Sequence, residues 1–245
     1  MRRVIPLLFW LAIWAALSAA FDLRRLLLPD MFSTLSSFFK LLGEGSFRSH
    51  LAITFLRIVP GILASSVVGV PLGLALAGSQ RLRLIIEPFV SFIRGIPAAA
   101  LFPVVIILFG IGETARVALT IYLALPILLV ATISGAVERP ENRTRRDYLR
   151  LHRHELAWHH IAMCLLWDAL PSVVGGLKIA ISLSLVIIIT SEMFFVGGSG
   201  IGWFAWDQYQ SFNISNMYAA IFAIGFISIV VNIVFDFFDS LLRKY

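Results

Sequence analysis

Residues 115–136 read ARVALTIYLALPILLVATISGA, an apolar run in which the only charged side chain is Arg116. A helix needs about 20 consecutive apolar residues to cross the hydrocarbon core of a bilayer. Lipid offers the backbone no hydrogen-bond partners, so a spanning segment is either a helix or a strand of a closed barrel. The run lacks the alternation of a barrel strand. It therefore predicts a transmembrane helix and an all-α fold.

The composition extends this prediction to the rest of the chain. Of the 245 residues, 59% are hydrophobic and only 14% are charged, whereas a soluble domain carries about 25% charged residues. The net charge of +6 comes from basic residues that lie mostly between the apolar runs. This arrangement indicates membrane topology and anionic headgroups rather than nucleic acid. No glycine-rich phosphate loop follows a predicted strand, so no nucleotide site is predicted.

Further apolar runs on both sides of residues 115–136 predict a six-helix bundle. Residues 1–50 are expected to form a first span, retained rather than cleaved as a signal peptide, and a helix in the membrane interface. Residues 51–245 are expected to form the core, with spans at about 51–78, 96–110, 115–136, 172–195 and 217–238. A break near Gly95–Pro97 should precede the third span. Six spans place both termini on one side, and the excess of Lys and Arg there predicts an N-in/C-in orientation.

The interval 139–171 is the longest polar segment of the chain and should form a cytoplasmic loop. It contains six arginines, at positions 139, 143, 145, 146, 150 and 153, and four histidines, at positions 152, 154, 159 and 160. Such a loop contacts either lipid headgroups or a soluble partner. The histidines lack the i, i+4 spacing that a helical metal site favours, so no metal site is predicted.

A few charged residues lie in or beside the apolar runs and are candidates for translocation or gating. Glu192 and Arg57 both fall near the outer ends of spans, and a carboxylate there is a functional candidate by default. We expect the two to pair, either as a gate or as a purely structural ion pair. Arg94 and Pro97 flank the predicted helix break. Glu113 and Arg116 should form a local surface pair.

From the second span onward the chain resembles the permease subunits of type I ABC importers. Its motifs are most similar to the group that imports nitrate, taurine, sulfonates, bicarbonate or thiamine precursors. The matching segments are His50–Arg57 before a glycine-rich span, Arg94–Pro97 (RGIP), Pro103 before Phe109–Ala115 (FGIGETA), Ala169–Pro171, Gly176–Ala180, Ser191–Met193 and Gly200–Trp203. Their order and spacing carry the resemblance, and FGIGETA is its most specific part.

The resemblance implies a non-enzymatic permease in the bacterial inner membrane that carries a small polar or anionic solute. It implies a cytoplasmic ABC ATPase dimer as partner, which binds ATP and Mg²⁺ while this chain binds no cofactor. A second permease, identical or a different chain with the standard coupling motif, and an external binding protein are implied as well. The polar loop then becomes the coupling element. Its implied ATPase contacts are Asp147, Leu149, Arg150, Arg153, Leu156, Trp158, Leu170 and Pro171.

Two other classes of protein also fit the residues alone. One is an ATP-independent secondary transporter or channel, although such proteins usually place several ionisable groups at mid-membrane. The other is a membrane anchor that recruits a soluble partner through its basic loop.

Overall fold

The structure, a computed structural model, describes residues 9, 13–16, 29–137, 158–195 and 198–242. These residues form helices and turns with no β-strand among them, which confirms the all-α fold class. The helices are α1 (Met31–Gly43), α2 (Gly45–Ala77), α3 (Gln80–Gly95), α4 (Phe102–Phe109), α5 (Glu113–Val137), α6 (Trp158–Phe194), α7 (Ile201–Gln210) and α8 (Ile214–Leu242). A 3₁₀ turn, Ala98–Leu101, lies between α3 and α4.

Four of these helices, α2, α5, α6 and α8, are long and apolar enough to cross a membrane. A fifth crossing is available if α3 and the segment Ala98–Phe109, which are bent by 82° at their junction, count as one broken span. The first predicted span lies largely outside the described residues. The six-span count and the N-in/C-in orientation therefore stay predictions.

Two helices begin earlier than the sequence predicts. α2 begins at Gly45 and α6 at Trp158, so residues 158–171 of the predicted loop are helical. Pro171 lies inside α6; a spanning helix tolerates such a proline because neighbouring groups satisfy the carbonyl that loses its partner. Residues 138–157, which hold most of the predicted coupling loop, lie outside the described residues.

The described residues divide into two compact units. The first consists of Met1–Thr54 and Glu192–Ser228, and the second of Phe55–Ser191 and Ile229–Tyr245. In the first unit, the ring of Phe38 on α1 packs edge-on against two α8 rings, with centroids 5.2 Å from Phe222 and 6.3 Å from Phe226. This contact fixes which face of α1 is buried.

In the second unit, small residues bring α2 close to α5. A Cβ atom added to Gly61 would lie 2.4 Å from the side chain of Thr120, and one added to Gly73 would lie 2.7 Å from that of Thr132. No real side chain fits these gaps, so glycine is required for the close approach of the helices. The glycines of this span thus allow α2 to pack closely on α5, while other residues of α5 line the cavity described next.

Candidate functional site

The helix break predicted near Gly95–Pro97 is confirmed. α3 ends at Gly95, and Pro97, which has no N–H and restricts the residue before it, starts the 3₁₀ turn. The Tyr122 hydroxyl of α5 lies 2.5 Å from the Ile93 carbonyl oxygen and 3.0 Å from that of Ile96. Its single proton is shared between two carbonyls that the break has exposed. Tyr122 thus fastens the bend to α5.

A cavity of about 570 Å³ opens beside this bend. Its walls are Ile93, Arg94 and Ile96 at the bend, one face of α5 between Tyr122 and Ser134, and one face of α6 between Ser172 and Leu183. These two helices run antiparallel, and a Cβ added to Gly176 of α6 would lie 2.6 Å from the Ala131 side chain. The cavity is therefore an elongated groove along two closely packed helices.

Arg94 is the only charged side chain among the residues that line this cavity. It is exposed and forms no ion pair with any other residue that the structure describes. A guanidinium carries five N–H donors in a planar fork that matches carboxylate and sulfonate oxygens. An arginine without a carboxylate partner beside a cavity in a membrane protein is a candidate for solute contact.

A second cluster lies where α5 begins. Arg57 of α2 donates through Nε to both Glu113 oxygens at 3.0 Å and through Nη2 to Oε1 at 2.8 Å. Arg116 donates to the same Oε1 at 2.8 Å, which confirms the predicted Glu113–Arg116 pair. The pair is not a simple surface contact, because the Arg116 side chain is only 3% exposed while that of Glu113 is 60% exposed. One carboxylate therefore ties two nearly buried arginines from two helices.

A third cluster holds the start of α7 in the first unit. The Thr54 hydroxyl lies 2.9 Å from both Glu192 oxygens and accepts the Ile201 N–H at 2.9 Å, while Glu192 accepts the Gly202 N–H at 3.0 Å. A carboxylate at a helix N-terminus is stabilised by the free N–H groups there. Gly200 has φ +102°, and a Cβ atom on it would lie 2.1 Å from the Glu192 carboxyl carbon. Only glycine fits at this position.

The predicted candidates thus fall in three places. Arg94 and Pro97 lie at the bend, Arg57 belongs to the Glu113 cluster, and Glu192 caps α7. Arg57 belongs to the second compact unit and Glu192 to the first, and each unit is described by itself. The predicted Arg57–Glu192 pair therefore stays a prediction.

Most of the predicted ATPase contacts cannot be placed. Asp147, Leu149, Arg150, Arg153 and Leu156 lie outside the described residues, whereas Leu170 and Pro171 are half-buried within α6 and Trp158 is its first residue. Among the residues that the structure describes, no group of three His, Cys, Asp or Glu side chains comes together as a metal site.

Several participating residues were missed by sequence reasoning. In the sequence, the side chains of Tyr122, Thr54 and Lys178 stand within apolar runs, and nothing near them in the chain indicates a partner. In the structure Lys178 of α6 pairs with Asp236 of α8, with Nζ 2.5 Å from Oδ1. The one available signal was Tyr122 itself, because a tyrosine within an apolar run needs a partner for its hydroxyl.

Comparisons with known proteins place these sites in context. The family model described as "Binding-protein-dependent transport system inner membrane component" matches residues 69–244. The nitrate import permease protein NrtB of Synechocystis is 28% identical, over 76% of this chain and 66% of that protein. The bicarbonate transport system permease protein CmpB of Synechococcus elongatus is also 28% identical, over 83% of this chain and 70% of that protein. The taurine transport system permease protein TauC of Escherichia coli is 29% identical, over 75% of this chain and 67% of that protein.

The fold is similar to that of a chain in the inward-facing MetNI methionine ABC transporter, with a TM-score of 0.62 and 18% sequence identity. That similarity covers 86% of this chain and 97% of the other. This chain spans about two thirds of the length of the NrtB and TauC proteins.

Proposed function

Since the chain belongs to the family of binding-protein-dependent transport system inner membrane components, we propose that it forms the translocation pathway of an ABC importer for a small polar or anionic solute. The chain itself performs no covalent chemistry, and ATP and Mg²⁺ act on partner subunits. The observation that carries the proposal is the cavity between α5, α6 and the bend, with Arg94 on its wall. A polar solute crossing a bilayer needs such a lined path, because lipid cannot replace its hydrogen bonds.

The assembly that this function requires contains three kinds of partner. Two cytoplasmic ATPases drive the transport, a second permease completes the pathway, and an external binding protein delivers the solute. The second permease is either a copy of this chain or a different chain. With N-in/C-in orientation and six spans, the loop 139–171 faces the ATPases, as the concentration of arginines in it supports.

α6 is the element that joins coupling to the pathway. It begins at Trp158 next to the loop and continues through the cavity wall to Phe194. At 1.5 Å per residue this helix is about 55 Å long, so a displacement at its cytoplasmic end is carried along one continuous helix, past Pro171, to the cavity wall. Leu149 and Leu156 supply apolar contacts to the ATPase, and Arg150 and Arg153 supply charge complementarity.

The two ion clusters serve as outer gating elements in this proposal. The Glu113 cluster holds the start of α5 against α2, and the Glu192 cluster holds the start of α7. The Glu113 cluster joins two buried arginines to one largely exposed carboxylate, and the Glu192 cluster joins one buried carboxylate to a hydroxyl and a backbone N–H. Separating either set leaves buried polar groups without partners, which is costly, so intermediate arrangements are disfavoured. This property suits an element that changes between two discrete positions.

The test is uptake by the reconstituted importer. The complex is purified with its ATPase and external binding protein, and the solute that co-purifies with the binding protein is identified by mass spectrometry. Proteoliposomes should then accumulate this solute only when ATP, as the hydrolysable nucleotide, and the binding protein are both present. Uptake at an equal rate without nucleotide would instead identify a secondary transporter or channel.

A further inference from the structure

We propose that the cavity beside Arg94 binds the solute in transit and selects organic anions that carry an apolar group over small inorganic anions. This inference rests on the proposed transport function and names the class of solute for that pathway.

The dimensions of the cavity favour an organic solute. Its α5 wall extends from Tyr122 to Ser134, which is about 18 Å at 1.5 Å per residue. Its volume of about 570 Å³ lies within the range of about 300–1,000 Å³ that is typical of sites for organic ligands. A four-atom inorganic anion would contact only a small part of these walls.

The chemistry of the walls points the same way. Arg94 supplies a cation at one end, and the remaining lining is dominated by branched aliphatic side chains such as Leu123, Ile127 and Ile179. Tyr122, Ser134 and Ser172 add hydroxyls to the lining, but a small anion bound at Arg94 would leave most of the aliphatic wall uncovered and would lose water on entering the cavity. An organic anion places its charged group on Arg94 and its apolar group along the aliphatic walls, so both parts find a matching surface.

Gly175 of α6 gives direct access to the interior of the cavity. It is one of the lining residues, and an added Cβ atom there would meet no other atom within 4 Å. A larger side chain at Gly175 therefore occupies cavity space without pushing α6 away from its neighbours. Gly225 of α8 is a matched control, because it also has open space around an added Cβ and does not line the cavity.

The experiment measures direct binding to the purified permease–ATPase complex without the external binding protein. The complex is held in nanodiscs of phosphatidylethanolamine and phosphatidylglycerol, so that lipid competes for the groove. Three probes are titrated by calorimetry: benzenesulfonate, its neutral analogue benzenesulfonamide, and nitrate. Benzenesulfonate should bind more tightly than nitrate by about tenfold or more, because only the former uses the aliphatic walls.

Two variants then locate the binding site. Arg94→Gln should weaken benzenesulfonate binding by about tenfold or more and leave benzenesulfonamide binding unchanged, since one charge-assisted contact is lost. Gly175→Leu should weaken both aromatic probes, while Gly225→Leu should weaken neither. Gel-filtration profiles and ATPase activity of each variant report whether the complex is intact.

Several results overturn the inference. One is a nitrate affinity equal to that of benzenesulfonate. Another is unchanged benzenesulfonate binding in Arg94→Gln or Gly175→Leu. The third is an absence of probe binding in nanodiscs, as expected if lipid fills the groove. Uptake is assayed in parallel with the complete importer. If ATP-dependent uptake persists while probe binding is absent, the transport function stands and the selective cavity does not. If uptake needs no ATP, the transport function itself is wrong.

Discussion

The Thr54 hydroxyl offers the sharpest test of how the start of α7 is held. It is 1% exposed, donates to the Glu192 carboxylate and accepts the Ile201 N–H. Thr54→Val keeps the shape of the side chain and removes both contacts. Losing a donor to a buried carboxylate costs about 1.5–3 kcal/mol, and leaving a buried N–H without an acceptor costs about 1–3 kcal/mol. We therefore expect a loss of about 2.5–6 kcal/mol.

Thr132→Val is the matched control for this substitution. Thr132 is fully buried as well, but among the residues that the structure describes its hydroxyl donates only to the Leu128 carbonyl, one turn earlier in the same helix. That carbonyl already belongs to the helical hydrogen-bond ladder, so the loss of the Thr132 hydroxyl should cost less than about 1 kcal/mol. The two variants make the same chemical change at equal burial and differ in the contacts of the hydroxyl.

The assay is the melting temperature of the GFP-tagged chain within its detergent-solubilised complex, read by fluorescence-detected gel filtration after heating. For a chain of this size, 1 kcal/mol corresponds to about 2–4 °C. Thr54→Val should therefore melt about 5–24 °C lower than the parent, and Thr132→Val within about 4 °C of it. Thr54→Ser, which keeps the hydroxyl, should recover most of the difference. Equal melting temperatures for the two valine variants would refute the reasoning.

Three further predictions concern other parts of the chain. Tyr122→Phe removes the hydroxyl that fastens the bend. It should raise the labelling rate of a single cysteine placed at Gly95, in a background where Cys164 is replaced by serine. An unchanged rate would mean that the bend keeps its conformation without the Tyr122 hydroxyl. Glu113→Gln should lower stability by about 1–2 kcal/mol, discounted because this carboxylate is largely exposed, and Glu113→Asp should lower it less. An equal melting temperature for parent and Glu113→Gln would show that the cluster contributes little. Leu149→Asp should leave assembly intact and uncouple ATP hydrolysis from uptake, and normal uptake by this variant would exclude the loop as the coupling element.

The bend at Gly95–Pro97 illustrates what local sequence can predict. Proline lacks an N–H and restricts the residue before it, and Pro97 stands two positions after a glycine, so local sequence favours a break there. Proline alone does not end a helix, since Pro171 lies inside α6. The direction of the next segment, 82° from α3, does not follow from the same rule. It is set by tertiary packing, and the Tyr122 hydroxyl, 26 residues beyond Ile96 in the chain, contacts the bend only because α5 packs against it.

The predicted loop 139–171 illustrates the opposite case. Its last part, from Trp158 to Pro171, is continuous with the spanning helix α6, although its charged and polar residues favoured a separate loop. A polar composition does not end a helix, because the helical backbone satisfies itself whatever its side chains contact. Only a capping residue, a glycine or a proline at a suitable position gives a local stop signal.

The sequence by itself determined that the chain is helical, that it lies in a membrane and that its spans are interrupted at one proline. These properties follow from apolar length and from backbone hydrogen bonding, which act within a few residues. Only the tertiary structure decided which charged groups meet. Arg57 lies against Glu113, 56 residues away, and Thr54 lies against Glu192, 138 residues away. Such contacts depend on how distant helices pack, and so does the cavity that forms where α5, α6 and the bend fail to fill the space between them.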